Sequence, residues 1–441
     1  MPRNVVIVGG GVSGVTVAIH LLRRGERELR VHVVERGPWL GRGIAYRVDN
    51  PVFRLNVPAS KMSLDPEQPD DFATWAKADG AAFLPRATFG AYVQARFAEA
   101  VTGAAAPCTV VRGEAVAVDD RCVRLSDGAA LDADAVVLAT GIEPRVAPSP
   151  LPADERILDA WDERGLATLP PGGRVLVLGA GLSALDVVAL LGARGFGGSV
   201  TILSRRGLLP RPHLSPLRAA PPVPSEVVDA APSDLRGLLA WGRALVRAQE
   251  QRGEPWQLAI DSLRPHVARL YRGLPPADRA RFVRSVRPYW DVLRHRAPAD
   301  ALALCEALRR EGRLEVLAGR IARCGLESDA LDVELALVSA PRRREPFARI
   351  VRCIGPALDP SEAETPLVRA LIASGLAAAD PAGLGIVTDD LGRVVDASGV
   401  ASERIVGLGA VRRASSWETT SVPDIAVHAL GLARRLTRQA P

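Results

Sequence analysis

VVIVGGGVSG, residues 5–14, is the stretch on which the reading of this chain turns. Val5 to Val8 are consecutive β-branched apolar residues, the length and composition of a buried strand. Gly9, Gly11 and Gly14 follow in the order G-x-G-x-x-G. In a dinucleotide site the first glycine permits a tight turn, the second lets the backbone approach a pyrophosphate, and the third lets the next helix pack close to the strand. The pattern predicts that helix from about Val15 to Arg24, with Ser13 in the turn and the first N–H groups facing the phosphates. A second strand, Val31 to Val34, ends at Glu35 and Arg36. That places an acid about 20 residues past the glycines, where one holds ribose hydroxyls. Alone, G-x-G-x-x-G is a weak signal; with strand, helix and acid in register it marks a dinucleotide site.

The same grammar returns downstream. Arg174 to Leu178 reads as a strand, Gly179, Gly181 and Ala184 give G-x-G-x-x-A around Ser183, and Leu185 to Arg194 reads as a helix. The next strand, Ser199 to Leu203, runs into Ser204, Arg205 and Arg206. Ser and Arg therefore stand where the first unit has Glu35. A carboxylate suits free ribose hydroxyls, whereas Ser and Arg suit a 2′-phosphate. The first unit reads as FAD- or NAD-like and the second as NADPH-like. A solvated strand end is the competing reading of Arg205 and Arg206.

Composition sets the class. The chain has 441 residues, enough for two or three domains. It is 48% hydrophobic and 24% charged, as globular proteins are. Its net charge is +6, and Lys61 and Lys77 are its only lysines. No basic run is interleaved with aromatics, so no nucleic-acid partner is expected. Five cysteines, an odd number with no C-x-x-C, suit a reducing cytoplasm and exclude the dithiol flavoenzymes. The six histidines show no zinc-type spacing, so no metal is expected. The apolar run Val5 to Leu22 is broken by glycines and lacks a basic n-region. It reads as strand and helix, not as a signal peptide or a membrane span. A homo-oligomer is left open.

Between these units, residues 37–66 form a long loop in which Asn56, Pro58, Met62 and Ser63 are candidates for the wall around a reactive ring. Helices are expected at Phe72–Ala76 and Phe89–Val101, and a small antiparallel sheet over Cys108–Leu131. Val136 to Leu138 is a buried strand ending in Ala139, Thr140 and Gly141; Pro144, Pro148 and Pro150 mark a linker. After an irregular, proline-rich stretch from Leu208 to Pro232, helices are expected at Leu235–Gln251, Trp256–Tyr271, Ala277–Val286 and Ala299–Arg310. Leu235, Leu238, Leu239 and Leu245 are expected in the core. Trp290 and His295, in the segment 287–298, are pocket candidates. Strands are expected at Leu314–Ala318 and Ala330–Val338. Ile350 to Ile354, ending in Gly355 and Pro356, reads as a strand returning to the first unit. A hairpin over Ile386–Val395 and a strand from Ile405 to Gly409 follow. Pro423 suits the first turn of a closing helix, Asp424–Arg435, whose electropositive N-terminus suits the anionic edge of a reduced flavin. The expected fold is α/β, with two Rossmann-like domains, the second inserted into the first. The divisions are 1–145, then 146–349 with a helical insert at about 208–310, then 350–441.

Finer motifs narrow this. GRGIAY (41–46) with LNVPASKMS (55–63), SRRGLLPRPH (204–213), RPYWDVLRHR (287–296) and WETTSVPD (417–424) resemble one family of bacterial FAD/NAD(P)-binding proteins. That family includes a flavin-dependent urate hydroxylase and the N-terminal portions of aspartate N-hydroxylases that form nitrosuccinate. The resemblance spans nearly the whole chain. Ile354 stands where that family usually has Thr, Ser421 and Asp424 where A-V-P-E is usual, and His428 where Gln is common.

The resemblance implies a single-component flavin monooxygenase. NADPH would reduce FAD, and a C4a-(hydro)peroxyflavin would pass one oxygen of O2 to a small, polar, nitrogen-containing substrate by N- or C-hydroxylation. FAD would be held by Gly9, Gly11, Ser13, Gly14, Glu35, Arg36, Asn56, Met62, Thr140, Gly141, Gly409, Trp417 and Val422. NADPH would be held by Gly179, Gly181, Ser183, Ala184, Ser204, Arg205 and Arg206. Asn56, His295 and Trp417 are the catalytic candidates, with Arg296 or Glu418 orienting the substrate. Two alternatives stay open at this level: a flavin reductase or oxidase without substrate oxygenation, and a non-catalytic dinucleotide-binding protein.

Overall fold

A computed structural model describes residues 3–24, 27–142, 150–355 and 366–438. Pro144, Pro148 and Pro356 lie outside them. The described residues form three sheets. The first runs β15 (Arg393–Val395), β16 (Ala401–Gly407), β7 (Ala135–Leu138), β1 (Arg3–Val8), β2 (Leu29–Glu35) and β3 (Cys108–Arg112). All its pairings are parallel except β15 with β16. The second runs β13 (Arg343–Phe347), β12 (Leu331–Leu337), β11 (Leu314–Leu326), β10 (Ser199–Ser204), β9 (Arg174–Leu178), β14 (Arg349–Arg352) and β8 (Ile157–Asp159). From β11 to β8 it is parallel, while β12 and β13 extend it antiparallel. The third is an antiparallel meander of β4 (Ala115–Val118), β5 (Cys122–Leu125) and β6 (Ala130–Asp132).

Two parallel sheets, each opened by a strand–glycine–helix unit, confirm the α/β reading with two dinucleotide-type units. The layering follows from the side-chain period of a strand. Val5 and Ile7 of β1 face a core shared with the helices Val12–Arg23, Arg86–Gly103 and Val422–Arg438. Val6 and Val8 face the opposite core, under β4, β5 and the helix Pro366–Ala373. The second unit repeats the scheme. Val175 and Val177 of β9 face the helices Leu182–Ala193 and Ala299–Arg310, while Leu176 and Leu178 face β12 and β13. Strand β11 reaches that other face by running 13 residues with an irregularity between Ile321 and Arg323.

Several expectations change. Cys108–Arg112 is not part of the antiparallel meander but the edge of the first parallel sheet, because Val31 to Glu35 pair with it in parallel. The strand at 349–352 does not return to the first unit. It pairs with β9 and β8, so it is the second unit's own parallel strand, and the return comes later. The expected helix Trp256–Tyr271 is interrupted by a 3-10 turn at Arg264–His266, where Pro265 supplies no N–H. The segment 287–298 contains a helix, Arg287–Arg294, with Pro288 in its first turn. In the helix Leu235–Gln251 only Leu235 is buried; Leu238, Leu239 and Leu245 are half-buried, since this helix packs mainly on Trp256–Leu263. Val422, not Asp424, opens the closing helix, which runs to Arg438 with Pro423 in its first turn.

Candidate dinucleotide sites and the cleft between them

The first glycine turn caps β1. Gly9 has φ +105°, and a Cβ there would overlap the Ala139 carbonyl oxygen. A Cβ on Gly14 would overlap the Gly9 carbonyl, so glycine is needed for the helix to leave the strand this closely. Gly11 differs. It is the N-cap of the helix Val12–Arg23, and a Cβ there would meet only Gly43 Cα, at 3.4 Å. Nothing in the protein forbids a side chain at Gly11. Glu35 ends β2, and its carboxylate oxygens accept the N–H groups of Gly10 (2.8 Å) and Gly37 (2.7 Å). The acid is thereby fixed beside the turn with lone pairs to spare. Arg36 points away, toward Glu114 at 3.2 Å.

Two further strand ends converge here. Thr140 and Gly141 follow β7, and a Cβ on Gly141 would meet nothing within 4 Å. Gly409 follows β16, and a Cβ there would stand 2.5 Å from Ser13 Oγ. Thr419 donates its hydroxyl to the Gly409 carbonyl (3.0 Å), which binds this turn to the approach of the closing helix. Val422 is buried in the first core. These turns sit at the carboxyl ends of adjacent parallel strands, the crevice in which open α/β sheets bind ligands.

The second turn is built alike. Gly179 has φ +105°, and its Cβ would overlap the Cys353 carbonyl oxygen. A Cβ on Gly181, the N-cap of Leu182–Ala193, would meet nothing within 4 Å. Ser183 is half-buried and Ala184 buried in the first turn of that helix. Ser204 ends β10, and its hydroxyl accepts the Gly207 N–H at 2.9 Å. Arg205 follows at the strand end. Arg206 is occupied, with Nη2 3.2 Å from the Ser285 carbonyl and the guanidinium over Tyr289 at 5.5 Å.

Between the units lies a cavity with an apolar lining that includes Val52, Leu182, Leu185 and Leu304, and a few charged side chains. The Asn56 carbonyl accepts from His213 Nε2 at 2.8 Å, and Asn56 lines this cavity of about 150 Å³ with Arg54, Arg86, Leu182, Asp186 and Asp300. Met62 does not line a cleft; it is buried in the first core, as the apolar partners of a 3-10 turn would have it. Trp417, at φ +43°, is also enclosed, by Tyr271 (5.5 Å) and Phe282 (5.1 Å), with Arg287 over its ring. His295 keeps 45% of its side chain open to water. Partial loss of water, with Arg294 and Arg413 adding, lowers its imidazole pKa, so it is neutral at neutral pH. Glu418 accepts from Trp290 Nε1 (3.1 Å) and pairs with Arg294 (3.0 Å). Arg296 pairs with Asp261, and Arg264 reaches Ser421 (2.7 Å) and Asp424 (3.0 Å).

The sequence reading missed Lys61, Arg264, Asp261 and Arg413. Lys61 is exposed as a residue, but partial loss of water around its ammonium pulls it below the ordinary lysine range, against the opposing pull of Asp261. Burial likewise pushes Arg413 down to about 10, with Arg287 adding to the effect. Most of the neighbouring cations are paired: Arg264 with Asp424, Arg294 with Glu418 and Arg296 with Asp261. One signal for Lys61 was available: it is one of only two lysines in a chain that elsewhere uses arginine.

Residues 6–143 match the family model described as FAD-NAD(P)-binding. No curated protein matches the sequence. Solved structures do. The ornithine N-hydroxylase of Kutzneria sp. 744 is 15% identical, with 100% of each chain covered and a TM-score of 0.65. The L-lysine 6-monooxygenase of Pseudomonas syringae is 18% identical, again over 100% of both chains, at 0.64. The FAD-bound cadaverine monooxygenase of Erwinia amylovora is 14% identical over 99% of this chain and 94% of that one, at 0.65. Among the described residues no helix is long and apolar enough to cross a membrane, and no cluster of His, Cys, Asp and Glu could hold a metal. The FAD-NAD(P)-binding model thus matches the first glycine unit, and the fold shared with these hydroxylases extends over the full length of the chain.

Proposed function

We propose that the chain is a single-component FAD- and NADPH-dependent monooxygenase that hydroxylates a small, polar, nitrogen-bearing substrate. The observation that carries this reading is the pair of glycine turns, each between a parallel strand and the N-cap of a helix, with room for a Cβ at Gly11 and Gly181. Full-length likeness to hydroxylases of ornithine, lysine and cadaverine supports it.

Gly9, Gly11, Ser13, Gly14 and Glu35 would hold the FAD pyrophosphate and ribose, with Thr140, Gly141, Gly409 and Val422 closing the crevice. Gly179, Gly181, Ser183, Ala184, Ser204 and Arg205 would hold NADPH. FAD, once reduced, supplies the activation of O2. The protein binds, orients and excludes water. Lys61 would meet an anionic group of the substrate, and the Arg294–Glu418 and Arg296–Asp261 pairs would orient it. Neutral His295 would accept a proton or hydrogen bond. For an amine, R–NH2, O2, NADPH and H⁺ give R–NHOH, H2O and NADP⁺, so one oxygen atom enters the product and one leaves as water.

The test supplies the FAD-loaded chain with NADPH, isotopically labelled O2 and a panel of diamines, amino acids and purines, the last from the sequence resemblance. Mass spectrometry should find one labelled oxygen atom in a product. NADPH oxidation that releases only peroxide with every substrate would move the reading to an oxidase. A bound dinucleotide with no oxidation of NADPH would make it a binding protein.

A further inference from the structure

The loop after β2 is where the two units are tied together. It leaves the first core at Tyr46, whose ring packs on Phe89 at 4.7 Å, and rejoins it at Leu55. Between those points it belongs to the other unit. Val48 and Phe53, each 1% exposed, are buried in the second unit's core, the cluster that contains Leu166 and Leu185. The second unit also holds the loop's backbone. Glu163, which follows β8 in the helix Glu163–Ala167, accepts the Asp49 N–H through one carboxylate oxygen (2.9 Å) and the Asn50 N–H through the other (2.8 Å). Arg54 pairs with Asp300 at the start of the helix Ala299–Arg310. Arg86, from the first unit, stacks on Trp161 at 5.2 Å and pairs with Asp186 of the helix Leu182–Ala193 at 3.1 Å, both side chains being nearly out of water.

We propose that residues 48–54 form a strap by which the second unit positions the loop carrying Asn56, fixing the two nucleotide sites at one separation and orientation, with Glu163 as its positioning residue. The proposal rests on the reading of both glycine turns as nucleotide sites. Its physical basis is independent of that reading. Units joined only by a polar interface move relative to one another by default. Here a swing would expose two fully buried apolar side chains and strip a buried ion pair of its partner, both costly. A carboxylate on two consecutive N–H groups also fixes the orientation of the peptides that precede Asp49 and Asn50, where the strap begins. The strap continues directly into Asn56, whose carbonyl takes the His213 hydrogen bond. The arrangement packs the strap against the helix that follows Gly181, through Val48, Phe53, Ala184 and Leu185. Hydride transfer is steeply sensitive to such placement, since a 1 Å error costs roughly 100-fold in rate.

The experiment uses the full chain loaded with FAD and the variants Glu163→Ala and Glu163→Gln. Glu163 is only half-buried, so both should fold. Hydrogen exchange is followed in peptides covering residues 46–56, and separately in residues 12–23 as a control for the fold. Glu163→Ala should speed exchange in 46–56 by about tenfold or more and leave 12–23 unchanged. FAD content and NADP⁺ affinity should stay within about twofold, while anaerobic reduction by NADPH slows about tenfold or more. Glu163→Gln, which keeps one acceptor oxygen, should fall between. Unchanged exchange in 46–56 would overturn the strap. Faster exchange with an unchanged reduction rate would overturn the positioning role. If the wild-type chain takes up no FAD or is not reduced by NADPH, the functional reading fails instead, and exchange measured without cofactor still decides the strap.

Discussion

Replacing Gly11 with alanine separates what the first glycine turn does for a ligand from what it does for the fold. Gly11 has φ −73° and ψ −170°, an extended conformation open to alanine, and the added methyl would meet only Gly43 Cα at 3.4 Å. Alanine is a poorer N-cap than glycine, a cost of about 0.5–1 kcal/mol. Lost freedom of the unfolded chain returns about 0.4–1 kcal/mol. The two offset, so the ligand-free variant should melt within about 2–4 °C of the wild type. FAD is another matter. At 100 times its Kd it should stabilise the wild type by about 2.7 kcal/mol. If the pyrophosphate approaches the backbone at Gly11 as proposed, the methyl would stand in its path, and that gain should vanish. The assay is a thermal melt of both proteins, each with and without FAD. Gly9→Ala is the contrasting control. Its φ of +105° and the overlap with Ala139 predict loss of the apo fold itself, by about 1–3 kcal/mol or more. A Gly11→Ala protein that keeps the full FAD shift would refute the site. One that fails to fold would refute the inference that the fold leaves room for a side chain there.

Gly181→Ala should weaken NADP⁺ binding while leaving FAD content and melting unchanged, because a Cβ there meets nothing in the protein; calorimetric titration checks it. Arg205→Ala should raise the KM for NADPH more than that for NADH, and an equal effect on both would remove the 2′-phosphate reading. Arg206→Ala should change that ratio less, since Arg206 is held by the Ser285 carbonyl and Tyr289. Burial, with Arg412 adding, holds His428 down at about 4, below the ~6.5 of an unfolded chain. The unfolded state therefore takes up protons first as pH falls, and stability is lost from about pH 6.5 down to about pH 4. His428→Gln should flatten that loss in denaturant titrations at about pH 7 and about pH 5, and an unchanged slope would contradict the buried neutral imidazole.

Local signals in the sequence reached the two units because each is set by neighbours. A β-branched run, three spaced glycines and an acid lie within one supersecondary element, and the structure finds Gly9, Gly14 and Gly179 under the constraint expected of them. What local pattern could not show was long-range pairing. Cys108–Arg112 alternates like an antiparallel strand but is claimed by β2, more than seventy residues earlier in the chain. The strand 349–352 resembles the one before Gly141, yet its partner is β9. The cleft was legible only in part. Asn56, singled out in the long loop beside the first nucleotide motif, lines the cavity, whereas His295 and Glu418 are not among the residues that line it. Met62 and Trp417 come from the same segments but are packed away, since hydrophobic side chains read alike whether they face a ring or a core. Lys61 and Asp261 stand 200 residues apart in the sequence, and only the folding of the helical segment over the loop brings their charges to one place.

The most direct test of the account is rapid-mixing spectroscopy on the FAD-loaded chain, reduced anaerobically with NADPH and then mixed with O2. The account predicts complete reduction by NADPH and a distinct absorbing species ahead of the oxidised flavin spectrum, longer-lived when NADP⁺ stays bound. Direct return to the oxidised spectrum with stoichiometric peroxide, with substrate panel present as well as absent, would contradict it.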